Sequence, residues 1–202
     1  MSRIRTTLML TGVLAAAITL AGCSSGSGSM SGMDHGSGSS TMMSSGSSES
    51  ATFNDQDVMF AQMMTAHHQQ AIEMSDTLLS KSGVDEKVTQ LAEKIKAAQQ
   101  PEIDTMTGWL ESWGASTDGM MMDHGSDGMM SADDMTALEQ ADGAAAGKLF
   151  LERMIQHHQG AIEMAQTEVD SGENADAVAL AKKIITDQTA EIAQMQIMLA
   201  SA

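Results

Sequence analysis

One internal repeat governs what this chain can fold into. Phe60, Met64, His67, His68, Ala71, Ile72, Glu73 and Met74 return as Phe150, Met154, His157, His158, Ala161, Ile162, Glu163 and Met164, at an offset of 90 residues. Downstream, Ile95, Gln99, Glu102, Ile103, Met106 and Leu110 return as Ile184, Gln188, Glu191, Ile192, Met195 and Leu199 at an offset of 89, one residue having been lost in the connecting loop. In the first copy Phe60, Met64, His67, Ala71, Met74 and Leu78 step by four and three, the spacing of a helix seam that faces a partner. The second copy reads Phe150, Met154, His157, Ala161, Met164 and Glu168. Each half is therefore a two-helix unit, and two such units make an all-α four-helix bundle of two duplicated helical hairpins.

Local signals set the element bounds. The spacing predicts a first helix over about 55–80, with Asn54 as its N-cap and Asp57 supporting the first turn. Gly83 marks a turn, and a second helix is expected over about 85–112, stopping at Gly114. Pro101 lies inside it where the copy has Ala190. An interior proline removes a backbone donor, so a bend is expected there. A short helix over about 132–141, N-capped by Ser131, precedes main helices over about 144–170 and 174–200.

The bundle occupies residues 52–202. Residues 1–22 read as an export signal: Arg3 and Arg5 precede an apolar run from Leu8 to Ala21, too short and too abruptly ended for a membrane span. The run closes in Leu20, Ala21, Gly22 and Cys23, which resembles a bacterial lipobox, so Cys23 is the expected lipidation site. The implied location is outside the cytoplasm, lipid-anchored to the outer face of the cell membrane or in the periplasm. Residues 23–51 are nearly all Ser, Gly and Met and have no apolar period, the composition of a flexible tether. A second loose segment, rich in Met and His, spans 114–131.

Composition excludes several function classes. The formal charge of −17 provides no basic footprint for nucleic acid. Three Phe, two Trp and no Tyr argue against a β-sandwich or barrel. A single Cys excludes a disulfide scaffold, a Cys-rich zinc site and an iron–sulfur cluster. The 21 Met need a physical reason. Met at helical spacing is ordinarily core filler, and a lone buried His is ordinarily just hydrogen-bonded. Paired His set among Met, twice in register, is harder to derive from packing, because burying imidazole without a partner is costly.

Met64 lies three and four residues before His67 and His68, so a thioether and two imidazoles share one helix face. Met74 lies two turns beyond His67. The metal-ligand candidates are Met64, His67, His68 and Met74, with Met154, His157, His158 and Met164. Thioether sulfur selects Cu(I), and imidazole suits copper and zinc. A mixed set without thiolate favours copper as Cu(I). Gln99 and Gln188 fall at inward positions from which they could orient the imidazoles, with Glu102 and Glu191 one turn later.

The loose segments repeat the theme. Met33, Asp34, His35 and Gly36 recur as Met122, Asp123, His124 and Gly125. Met42, Met43, Met120, Met121, Met129 and Met130 lie nearby and have no core to fill. Met33, His35, Met42, Met43, Met120, Met121, Met122, His124, Met129 and Met130 thus form a secondary candidate set that could raise the effective metal concentration near the bundle.

Met-x-x-His-His-x-x-Ala-Ile-x-Met followed by Gln-x-x-Glu-Ile-x-x-Met resembles the bacterial family catalogued as domain of unknown function 305, twice over, across roughly residues 53–201. That resemblance implies an exported, ferritin-like four-helix bundle. It also implies, through a branch of periplasmic copper-binding proteins involved in copper resistance, copper binding by the two Met/His sets. Pro101 departs from the usual helical residue of that pattern.

The resulting expectation is a membrane-anchored copper-binding protein that sequesters Cu(I) or passes it to an unidentified delivery partner, without catalysis. The competing readings are a non-metal helical interaction module and a copper or di-iron oxidase. A di-iron bundle needs inward Glu and Glu-x-x-His pairs, and neither half contains Glu-x-x-His. A zinc buffer would explain the histidines but not the methionines of the loose segments.

Overall fold

The computed structural model describes residues 52–117 and 128–201. The export signal, Cys23, the tether with Met33, His35, Met42 and Met43, and the loop residues Met120, Met121, Met122 and His124 lie outside the described residues. Five helices follow one another: α1 (Asp55–Leu79), α2 (Glu86–Trp113), α3 (Ala132–Gln140), α4 (Gly143–Ser171) and α5 (Ala175–Ala200). The fold is all-helical, a ferritin-like bundle with α1–α2 and α4–α5 as its two hairpins and the short α3 between them. Among the described helices none is long and apolar enough to cross a membrane.

The caps explain the bounds. Asn54 Oδ1 accepts from the backbone of Gln56 and Asp57 at 2.8 and 3.1 Å, and Asp57 Oδ2 accepts from the Asn54 N–H at 2.7 Å. This reciprocal box satisfies the orphan donors of the first turn. Ser131 and Asp134 repeat it at α3. Gly114 ends α2 in the left-handed region at φ 68°, a conformation that costs a Cβ-bearing residue energy. α2 runs unbroken through Pro101, whose ring is exposed.

The core is layered along the bundle. At one end Phe60, Met64, Met106, Leu110, Ala161, Ala165, Ala177, Ala181 and Ile184 form an apolar cluster. At the other, Ala71, Met74, Leu78, Leu91, Ile95, Phe150, Leu151, Met154 and Met195 form a second, which also takes in Met130 and Leu138. Between them lies a buried polar layer of His67, His68, Gln99, Glu102, His157, His158 and Gln188. Each fully buried Met or Leu adds about 1.5–3 kcal/mol of hydrophobic stabilisation, so the apolar layers carry the fold. The polar layer is costly to bury.

The hairpins join mainly through α1 and α4, which run antiparallel. Met64 clusters with Ala161, and by the same token Met154 clusters with Ala71. Contacts thus recur under exchange of the two copies, so an approximate twofold axis relates the hairpins. His67 and His157 sit on it.

Candidate metal centre

The sequence pattern leads to one local geometry. The seam of α1 faces that of α4, and equivalent histidines meet where the twofold axis crosses. The rings of His67 and His157 lie with centroids 3.6 Å apart, tilted by 38°. Both residues are buried, as are His68 and His158. The four imidazoles share one interior layer.

His68 and His158 turn toward the second helix of their own hairpins. His68 Nε2 pairs with Glu102 Oε2 at 2.9 Å, and His158 Nε2 with Glu191 Oε2 at 2.7 Å. A carboxylate on Nε2 fixes the ring orientation and favours a proton there, which leaves Nδ1 with its lone pair. Nδ1 of each of these two rings is buried without a hydrogen bond. Glu102 also accepts from Lys183 Nζ at 2.8 Å. Burial alone would raise its carboxyl; the His68 and Lys183 contacts outweigh that and hold it below its ordinary range. Lys183 is itself pushed up by hydrogen bonds to Asp187 and Glu102.

His157 stands apart. Neither of its ring nitrogens makes a hydrogen bond to the described residues, although the ring is buried. Burial, and then the neighbouring His67, His158 and His68, push its pKa well below the ordinary histidine value. The imidazole is neutral, the form in which it binds metal. Two orphaned nitrogens in an interior are unusual, since buried polar groups are nearly always paired.

The methionines divide between the two ends. Met64 is buried in one apolar cluster and Met154 in the other, one on each side of the histidine pair. Met74 is also fully buried, farther along the cluster that holds Met154. Its copy Met164 is only half-buried and lines a surface cleft between α1 and α4. The sequence suggested one groove for all eight ligands; the structure brings the histidines together and spreads the thioethers along the bundle. The cause is that antiparallel packing turns the copies end for end. Gln99 and Gln188 lie in the polar layer, each with a buried Oε1 that makes no hydrogen bond. The imidazole partners in the structure are Glu102 and Glu191.

Of the secondary set, Met130 is buried in the cluster that holds Met74, and Met129 is exposed. Among the described residues no three His, Cys, Asp or Glu side chains converge as a metal set. Thioethers are the further donors near the imidazoles.

Sequence reasoning passed over one polar corner. Asp57 accepts from the backbone N–H groups of Asn174 at 2.9 Å and Glu173 at 3.2 Å, tying the start of α1 to the α4–α5 turn. Burial first, and then the neighbouring Asp57, push the Glu168 carboxyl up to about 8. The only sequence signal was Glu168 standing at a seam position where its copy is Leu78.

Related structures share this architecture. A DUF305 protein of Streptomyces coelicolor, described as secreted, superposes with a TM-score of 0.68 at 32% identity, covering 72% of this chain and 93% of its own. A DUF305 fragment from Deinococcus radiodurans gives 0.69 at 29% identity, over 74% and 98%. CopM in its Cu(I)-bound form gives 0.62 at 32% identity, over 72% and 96%. CopM is also known with Cu(II) and with Ag bound, and in the apo form. No curated protein matches the chain. The family model described as Domain of unknown function (DUF305) matches residues 57–199, and the chain belongs to that family.

Proposed function

We propose that this protein is an extracytoplasmic copper-binding protein that holds Cu(I) for sequestration or transfer, anchored to the membrane through a lipid on Cys23. The observation that carries the reading is the His67–His157 pair: two buried imidazoles tilted against each other, the His157 nitrogens making no hydrogen bond to the described residues. A soft monovalent ion would satisfy the His157 nitrogens, which pair with none of the described residues. Imidazole from His67 and His157 and thioether from Met64 and Met154 are the donors this reading assigns, with the buried Nδ1 atoms of His68 and His158 as further ring nitrogen. That mixture of soft sulfur and ring nitrogen, without thiolate, suits Cu(I). The copper-bound forms of CopM support it.

Sequestration needs only ligands and affinity. Transfer needs exchangeable ligands, which thioethers are. Neither requires a reacting substrate, and catalysis forms no part of this reading. The net charge of −17 favours cation approach.

The test is competition for Cu(I) against a chromogenic chelator, with Zn(II) as control. The protein is expected to withdraw Cu(I) at micromolar chelator and to leave Zn(II) largely in place. No withdrawal would overturn the copper reading. For the anchor, incorporation of labelled fatty acid is expected in the parent and lost in Cys23→Ala; label retained in the variant would place the lipid elsewhere.

A further inference from the structure

The outer groove between α1 and α4 has two halves, exchanged by the twofold axis. One is covered by α3. There Gln70 bonds both backbone groups of Met130, at 2.7 and 3.0 Å, and Arg153 pairs with Asp134 at 2.6 Å. Leu138 is fully buried against the cluster of Met74 and Phe150.

The other half is a cleft of about 270 Å³ lined by Gln56, Met59, Phe60, Met63, Gly160, Glu163, Met164 and Thr167. Its residues are the copies of those under α3, with informative exchanges. Met59 and Met63 stand where the covered half has Leu149 and Arg153, and Gly160 stands where it has Gln70. The half that docks a helix thus uses leucine, an ion pair and an amide. The half not covered by α3 has lost the amide and gained two thioethers. Met59 is 50% exposed and Met63 half-buried, so neither fills the core. They lie one helical turn apart on one face of α1, and Met164 reaches the same cleft from α4. The Glu163 carboxylate adds negative charge at the rim.

We propose that this cleft is a second, surface site for a soft monovalent metal ion, with Met59, Met63 and Met164 as its thioether ligands. Three soft donors and a carboxylate favour Cu(I) or Ag(I) over hard or borderline cations. The site shares only its class of ion with the histidine centre and stands without it.

The test uses the full chain labelled at the methionine methyl carbons and titrated with Ag(I). The methyl signals of Met59, Met63 and Met164 are expected to shift together, in the parent and equally in the His67→Ala/His157→Ala variant. Met59→Leu/Met63→Leu, nearly isosteric, is expected to bind one Ag(I) fewer, leaving the histidine-dependent uptake unchanged. If the Met59 and Met63 methyls stay in place at saturating Ag(I), or if the double variant binds as many ions as the parent, the cleft is not a metal site. Failure of the histidine variant to lose any ion, with the cleft shifts intact, would count against the histidine centre alone.

Discussion

The two halves of the α1/α4 groove began from the same residue pattern and serve different ends. Under α3 the positions are Gln70, Leu149 and Arg153, and each is engaged: the amide holds the Met130 backbone, and the guanidinium holds Asp134. Opposite, Gly160, Met59 and Met63 leave a cleft. A repeated hairpin supplies two equivalent surfaces but only one α3. The half α3 covers is committed to stability, and the other is free to carry exposed thioethers that a core would otherwise absorb. Gly128 shows how tightly the connecting chain crosses between them. A Cβ there would come within 2.9 Å of the Gly160 Cα, and its φ of 77° is itself suited to glycine.

The difference can be broken most strongly at Leu138. Leu138→Ala is expected to cost about 2–5 kcal/mol, as for a buried leucine in a packed core. Met63→Leu in the other half should cost less than about 1.5 kcal/mol. Urea denaturation of both variants checks this. Equal losses would mean that the two halves contribute alike.

Gln70→Ala comes next. It strips both partners from the Met130 backbone, a loss of about 1–3 kcal/mol for groups left unpaired. Amide hydrogen exchange should then accelerate in α3 and hardly change in α5. Uniform acceleration would show that α3 is not held locally.

The two ends of the seam differ as well. Where the covered end has Leu78 and Gly147, the other has Glu168 and Asp57. Glu168 stays protonated in the fold up to about pH 8, far above the ordinary carboxyl value of 4.5. A raised carboxyl contributes stability that is complete below the ordinary value and lost as pH rises through about 8. Thermal stability should therefore fall progressively between about pH 4.5 and about pH 8 and level off above it, and Glu168→Gln should flatten that fall. A parent profile already flat over that interval would contradict it.

The smallest effect is expected at Arg153→Met, which restores the residue type of the other half. The Arg153–Asp134 pair is partly exposed on both sides, so its loss should cost less than about 1 kcal/mol. A larger loss would make the ion pair, rather than Leu138, the main fastener of α3.

Much of this architecture was legible because it is periodic. Repeated seams located α1, α2, α4 and α5 within a residue or so at each end, and Asn54 and Ser131 cap as their side chains imply. The meeting of His67 with His157 follows from identical seams facing each other. What lacked a period stayed hidden. Helix spacing shows which residues share a face but not which way the partner helix runs, so the placing of Met64 and Met154 on opposite sides of the histidines was not readable. Nor was the bond from Asp57 to the backbone of Asn174, which joins residues 117 apart in sequence. Met164 has the same seam position as Met74, yet it borders a cleft, because α3 covers only the half that holds Met74.

The central claim is that facing imidazoles at the duplication axis hold the tightest metal ion. X-ray absorption at the copper edge, on full-length protein carrying one equivalent of Cu(I), reads the donors directly. Ring nitrogen together with thioether sulfur is the expected coordination sphere, with the nitrogen signal lost in His67→Ala/His157→Ala. A sphere of sulfur alone in the parent, unchanged in that variant, would move the principal site away from the histidines.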